Sequence, residues 1–235
     1  NAGRQAQTPL TGFQDYLRAV AVRGMTSSLL AADRQGRAIA WSLDGSQVEE
    51  QFRVDLGAGA YAALATEQRW LLGMRHGAIV ALAARDGARE SIRSLDARIT
   101  AMDYTRDDGH AWVGTASGRL LRLDPRADAA SDQDWAVSQA PVTALRVQQD
   151  GKWVAVATAD RQIRLFDRRR PDDAPIILED HGQPVIDLQF YEDCLYALTE
   201  NNRLYHWETS ARAYAQKIRD DLKRSLTENE WKRYV

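Results

Sequence analysis

The feature that most constrains this chain is a period. The last large apolar residues of five similar segments are Trp41, Leu82, Leu123, Phe166 and Trp207, at intervals of 41, 41, 43 and 41 residues. The segments read RAIAWSLD (37–44), AIVALAARD (78–86), RLLRLD (119–124), RQIRLFD (161–167) and RLYHWE (203–208). Self-similarity at roughly 40–45 residues marks a four-stranded unit that cannot bury its apolar faces alone and stacks on copies of itself. The expected fold is therefore all-β, a propeller with five visible blades.

The interior of each repeat agrees. First strands are expected at LRAVAV (17–22), YAALAT (61–66), ITAMDY (99–104), VTALRV (142–147) and VIDLQF (185–190), with apolar residues at alternate or near-alternate positions. Second strands, SLLAAD (28–33), WLLGMR (70–75), AWVGTA (111–116), WVAVAT (153–158) and LYALTE (195–200), are almost wholly apolar, as strands covered on both faces are. Outer fourth strands are expected at 47–54, 90–96, 132–138 and 174–180. None follows Trp207, so Gln7–Phe13 is expected to supply one to the last blade and close a five-membered ring; the alternative places two blades upstream. Asp107-Asp108-Gly109 and Asp150-Gly151 suit tight hairpins.

Over residues 13–208 these repeats resemble the WD40 family. That resemblance implies a buried hydrogen-bonded set of histidine, Ser/Thr, Asp and Trp in each blade. The last blade matches it best, with His181, Thr199, Asn201 in the Asp position, and Trp207. The fourth keeps Thr158 and Asp160 with Phe166 for Trp, and the third keeps Thr115, Ser117 and Leu123. Met74, His76 and Leu82 in the second blade, and Asp33, Gln35 and Trp41 in the first, keep little of it. A net hydrogen bond is worth about 1 kcal/mol, so such blades must lean on apolar packing.

Beyond the repeats, Ser210–Leu226 reads as an amphipathic helix with Ala211, Tyr214, Ala215, Ile218 and Leu222 on one stripe. Thr227 and Glu230 make a capping box, flanked by Leu226 and Trp231 as a hydrophobic staple. The string 226–234 resembles a tail that follows the propeller in large bacterial proteins carrying a STAND-type NTPase or similar effector. That implies a bacterial source and a sensor position at the C-terminal end of a larger protein, whose own N-terminal domain would be one partner. The expected boundaries are a tag remnant at 1–2, a propeller over 3–209 with 5–13 as closing strand, and a helical tail over 210–235. The blades fall near 14–44, 48–86, 90–124, 132–167 and 174–208.

Composition limits the function. With 31 basic and 33 acidic residues the formal charge is -2, which gives a nucleic-acid backbone no reason to bind. No run of about 18 apolar residues is present to span a bilayer. The single Cys194 excludes an internal disulfide and fits a reducing, cytoplasmic setting. No phosphate-cradling loop, metal-ligand spacing or nucleophile motif occurs, so no enzyme activity, metal or cofactor is expected. His76, His110, His181 and His206 share no motif with carboxylates. Arg168-Arg169-Arg170 precedes Pro171-Asp172-Asp173 and reads as a solvated loop.

One regularity points to a partner. Each blade has an arginine in or beside the turn between its second and third strands: Arg34 and Arg37, Arg75, Arg119, Arg161 and Arg203. These are expected to ring the channel on one face, where planar guanidinium groups would take carboxylates of an acidic protein or peptide. The competing expectations are a propeller hydrolase or lyase with a channel site, and a purely structural scaffold.

Overall fold

A computed structural model describes residues 10–24, 27–44, 47–127, 129–149, 151–179 and 181–210. The expected tag remnant at 1–2, the expected helical tail beyond 210 and the 226–234 string lie outside them, as does 5–9 of the expected closing strand.

Among the described residues nineteen strands form five antiparallel sheets, each in sequence order. Blade 1 is β1 (Leu17–Arg23), β2 (Ser28–Asp33), β3 (Arg37–Asp44) and β4 (Gln47–Asp55). Blade 2 is β5 (Ala60–Ala65), β6 (Arg69–Met74), β7 (Ala78–Ala83) and β8 (Arg89–Ser94), and blade 3 is β9 (Ile99–Tyr104), β10 (Ala111–Thr115), β11 (Arg119–Leu123) and β12 (Gln133–Ala136). Blade 4 is β13 (Val142–Val147), β14 (Trp153–Thr158), β15 (Gln162–Asp167) and β16 (Ile176–Leu178). Blade 5 has three described strands, β17 (Val185–Tyr191), β18 (Cys194–Thr199) and β19 (Leu204–Glu208). No described helix is long and apolar enough to cross a membrane.

The blades stack through their first strands: β1 on β5, β5 on β9, β9 on β13 and β13 on β17. Opposite faces of each sheet serve opposite neighbours, because strand side chains alternate. In blade 2, Trp70, Leu72, Met74, Val80 and Leu82 pack towards blade 1, while Leu71, Ile79 and Ala81 pack towards blade 3. Trp112 and Leu120 of blade 3 meet Val142, Leu145 and Phe166 of blade 4. Ion pairs add to this at the rim. The Arg93 guanidinium of β8 reaches Asp132, before β12, at 2.6 Å, with both side chains largely buried. Arg168 does not float in a solvated loop; it is 7% exposed and paired with Asp107 of blade 3.

The ring does not close in the expected way. β17 and β1 do not pack on each other as the other neighbouring first strands do. The described part of the expected closing strand lies against blade 1 instead of blade 5. Phe13 packs edge-on to Trp41, Gly12 sits over Ile39, and Arg37 donates to the Gly12 carbonyl at 2.9 Å. Phe13 is four residues ahead of β1, as Leu56 is ahead of β5 and Leu95 ahead of β9, and it fills the same kind of apolar place. The described molecule is a five-bladed arc.

Candidate functional site

Each turn between the second and third strands has one geometry. Asp33–Gly36, Met74–Gly77, Thr115–Gly118, Thr158–Arg161 and Thr199–Asn202 each close on an N–H of the fourth residue donated to the carbonyl of the first, at 3.0–3.2 Å. That fourth residue is left-handed: Gly36, Gly77, Gly118, Arg161 (φ 66°) and Asn202 (φ 60°). The second residue's N–H ties the turn to the segment entering the first strand. Arg34, Arg75, Ala116, Ala159 and Glu200 donate to the carbonyls of Tyr16, Gly59, Arg98, Pro141 and Pro184.

Immediately inside that tie, every first strand is bulged. The ladder skips from Leu17 to Ala19, Ala60 to Ala62, Ile99 to Ala101, Val142 to Ala144 and Val185 to Asp187. A bulge leaves one residue out of the pairing and re-aims its side chain. The residues re-aimed are Arg18, Tyr61, Thr100, Thr143 and Ile186, gathered on the innermost strands at the turn-bearing mouth of the channel. Tyr61 is held between the guanidinium groups of Arg18, 5.6 Å from its ring centroid, and Arg98, at 5.3 Å. Thr100 donates to the Gly114 carbonyl at 3.1 Å, and the buried Thr143 hydroxyl has no partner among the described residues.

The five turn arginines are not brought into one ring. Arg34 and Arg75 occupy the second turn position, beside the channel, exposed and without a side-chain partner among the described residues. Arg161 is at the fourth position and donates to the Gly182 carbonyl at 3.4 Å. Arg119, Arg203 and Arg37 come one residue later, at the head of the third strand. Arg119 points outward to Asp134 of β12 at 2.7 Å, and Arg203 is exposed. The basic residues at the mouth are instead Arg18 and Arg98, which flank Tyr61, with Arg34 and Arg75 on turns whose backbones meet Gly59, two residues before it. Sequence reading missed Arg18, Arg98 and Tyr61's re-aimed side chain. The signal was present: Ile99/Met102/Tyr104, Val142/Leu145/Val147 and Val185/Leu188/Phe190 step by three, then two, where an unbroken strand steps by two throughout.

The residues of the WD-type set come together only in part. Thr199 donates to the Asn201 side chain at 2.7 Å. His181, 2% exposed, packs edge-on to Trp207, its Nδ1 is 2.8 Å from the Gln183 carbonyl, and its Nε2 has no partner among the described residues. In blade 4 Thr158 donates to Asp160, and Ser138, at the place His181 holds in blade 5, donates to Asp160 at 2.8 Å. Arg164 completes the cluster at 2.9 Å. Burial works to raise the Asp160 pKa, but hydrogen bonds from Arg164, Thr158 and Ser138 outweigh it and hold the carboxyl down to about 2. In blade 1, buried Asp33 takes over the threonine's task and accepts three turn N–H groups, from Gln35, Gly36 and Arg37, each at 2.9 Å.

Two recesses lie away from the mouth. One of about 740 Å³ is lined by Trp153, Leu165, Ile176, Leu178 and Trp207 between the outer ends of blades 4 and 5. A second, of about 420 Å³, lies between the ends of blades 3 to 5 and is lined by Asp103, Arg146 and Gln189. Burial raises the Asp103 pKa against the N–H groups of Val147 and Tyr104 that its carboxylate accepts. No described group of three or more His, Cys, Asp or Glu side chains is placed to hold a metal ion.

No protein-family model and no curated protein sequence matches the chain. Among solved structures it is similar to the computationally designed Ika8 protein, with a TM-score of 0.71 and 16% identity over 84% of this chain and 59% of that one. It is also similar to the β-propeller domain of Myceliophteria thermophila Cps50 (Swd1), with a TM-score of 0.71 and 21% identity over 85% of this chain and 72% of that one. The fold is a β-propeller. The chain thus spans less than two thirds of the designed protein and somewhat more of the Cps50 domain.

Proposed function

We propose that the propeller is a non-catalytic binding module that takes an acidic segment of a protein partner at the turn-bearing mouth of its channel. The observation that carries this is Tyr61 flanked by Arg18 and Arg98, with Arg34 and Arg75 on the adjoining turns at Gly59: four arginines from three blades, none of them in an ion pair among the described residues. Arginine beside an aromatic ring, on a concave rim, suits carboxylates presented by a peptide. A formal charge of -2 over the whole chain favours a protein partner over a nucleic acid, which would meet repulsion away from this rim. The side chains re-aimed into the mouth are an arginine, a tyrosine, two threonines and an isoleucine; none is a carboxylate, imidazole or thiol, which supports binding over proton transfer. The tail's resemblance supports a place at the C-terminal end of a bacterial signalling protein in the cytoplasm, where an effector in the same polypeptide would be regulated by what the propeller binds.

The test is Arg34→Glu, Arg75→Glu and Arg98→Glu together, with fluorescence anisotropy of a labelled glutamate-rich peptide as readout. Binding should weaken by more than about tenfold, the equivalent of about 1.4 kcal/mol, while melting is unchanged. Arg119→Glu, which disturbs only the Asp134 pair, should leave binding intact. Equal binding by the triple variant and the unaltered chain refutes the reading.

A further inference from the structure

We propose that the face of blade 1 turned away from blade 2 is a docking face for a further four-stranded blade, joined to this one through the 10–13 segment. The register of the five blades makes the case. In every first strand, three positions look back at the preceding blade. They are Ala60, Ala63 and Ala65 in β5; Ile99, Met102 and Tyr104 in β9; Val142, Leu145 and Val147 in β13; and Val185, Leu188 and Phe190 in β17. All pack against a neighbour, and Ile99, Val142, Leu145, Val185 and Leu188 are at most 1% exposed. The same positions in β1 are Leu17, Val20 and Val22, equally apolar, and they are 48%, 54% and 61% exposed. Beside them on the same face lie Ala31, Ile39 and Trp41, which Phe13 and Gly12 already cover. The face is built as an interior blade interface and lacks only its neighbour's first strand.

The chemistry of that neighbour follows from the interfaces that exist. The first forward-looking position of the preceding blade is alanine in all four: Ala19, Ala62, Ala101 and Ala144. At three of the four interfaces, Ala62, Ala101 and Ala144, the small residue lets the next blade's branched side chains seat. Blade 5 does not offer this. Its forward-looking residues are Asp187, Gln189, Tyr196, Leu198, Leu204 and His206, so neither this chain's last blade nor that of a second copy matches Leu17, Val20 and Val22. The route of entry matches too, since Phe13 stands where Leu56 and Leu95 do, and those residues follow the fourth strand of the preceding blade.

The experiment uses the 235-residue chain and a tandem form with residues 13–55 duplicated ahead of Phe13, so that a copied blade presents Ala19 and Ala21 to the resident β1. Both carry Val20→Cys in a Cys194→Ser background, and the rate of thiol labelling is read. Labelling should be fast in the 235-residue chain and at least about tenfold slower in the tandem, where it waits on local opening. Val20→Asp should lower the melting temperature of the tandem by about 4 °C or more, by burying a charge, and leave the single chain unchanged. Equal labelling in the two proteins overturns the proposal. So does protection of the introduced thiol in the single chain: at monomer mass another part of the same chain is the occupant, and at doubled mass a second copy is.

Discussion

Replacing Asp160 by asparagine separates charge from shape in the blade 4 turn, because Asn201 already does the same job in blade 5. Asparagine can still accept from Thr158 and from the Gln162 N–H, as Asp160 does, so the turn should form. What disappears is the negative charge 2.9 Å from Arg164, whose own side chain is only 12% exposed. Lowering the carboxyl from 3.8 to about 2 is worth, at about 1.36 kcal/mol per pH unit, about 2.5 kcal/mol as a ceiling. The Asp160 side chain is 31% exposed, so solvent screening should cut this to about 1–1.5 kcal/mol. The sign follows from a depressed folded-state pKa. The stabilisation is complete above the unfolded value near 3.9 and is lost as pH falls through about 2, with about half gone at pH 3. Urea unfolding of both proteins at pH 7, 5 and 3 reads it directly. The difference should be equal at pH 7 and 5 and about halved at pH 3, with unchanged m-values. A difference that does not shrink at pH 3 would mean that the carboxylate acts through packing or neutral hydrogen bonds, and the electrostatic account would be wrong.

Gly77 is left-handed at φ 91°, and a Cβ there would come within 2.0 Å of the Leu95 carbonyl oxygen, so Gly77→Ala should cost about 2–4 kcal/mol in chemical denaturation. A loss below about 1 kcal/mol would show that the loop after β8 yields freely. Arg93→Ala leaves Asp132 buried without its partner and should destabilise by about 3 kcal/mol, while the double change with Asp132→Ala should recover part of that in a double-mutant cycle; additive losses would deny the pair any coupling. Trp112 is fully buried between blades 3 and 4, so Trp112→Ala should lower stability by about 3–5 kcal/mol, read by urea titration, and an intact melting curve would contradict the packing described.

The strands were legible because each blade must present apolar residues on both faces to serve two neighbours, and that demand repeats with the blade. Tight turns were legible for a similar local reason, since glycine at 36, 77 and 118 answers a left-handed backbone. The arginines were less so. Lying between the same two strands does not fix which way a side chain points, and a shift of one residue along a strand reverses its face. Arg34 and Arg75 stay beside the channel, whereas Arg119 crosses to Asp134 on the fourth strand. Aligning the turns on their left-handed residue, Gly36, Gly77, Gly118, Arg161 and Asn202, separates the three positions that a plain count of arginines merges. The WD-type set was overread for a related reason: residue types can be kept while the distances are not, and His181 touches Trp207 without bonding to Asn201.

Closure depends on something no single repeat contains. Each blade satisfies its own hydrogen-bond ladders, so local patterning is the same whether five blades make a circle or part of one. The deciding quantity is the match between the two end faces, and here they differ in kind. Leu17, Val20 and Val22 present a branched apolar surface of the kind that blades 3, 4 and 5 bury against the alanines of the blade before. Asp187 and Gln189 stand at the positions that would have to receive them. Seating Val20 against Asp187 would desolvate the exposed Asp187–Arg146 ion pair, a cost of several kcal/mol that burying two valines, at about 1.5–3 kcal/mol each, would at best offset. The described ends of the arc therefore do not match each other, and the proposed binding mouth on blades 1 to 3 sits next to the exposed face of blade 1. A blade docked there would extend the same rim, adding its own turn and its own bulged residue beside Arg18 and Arg34.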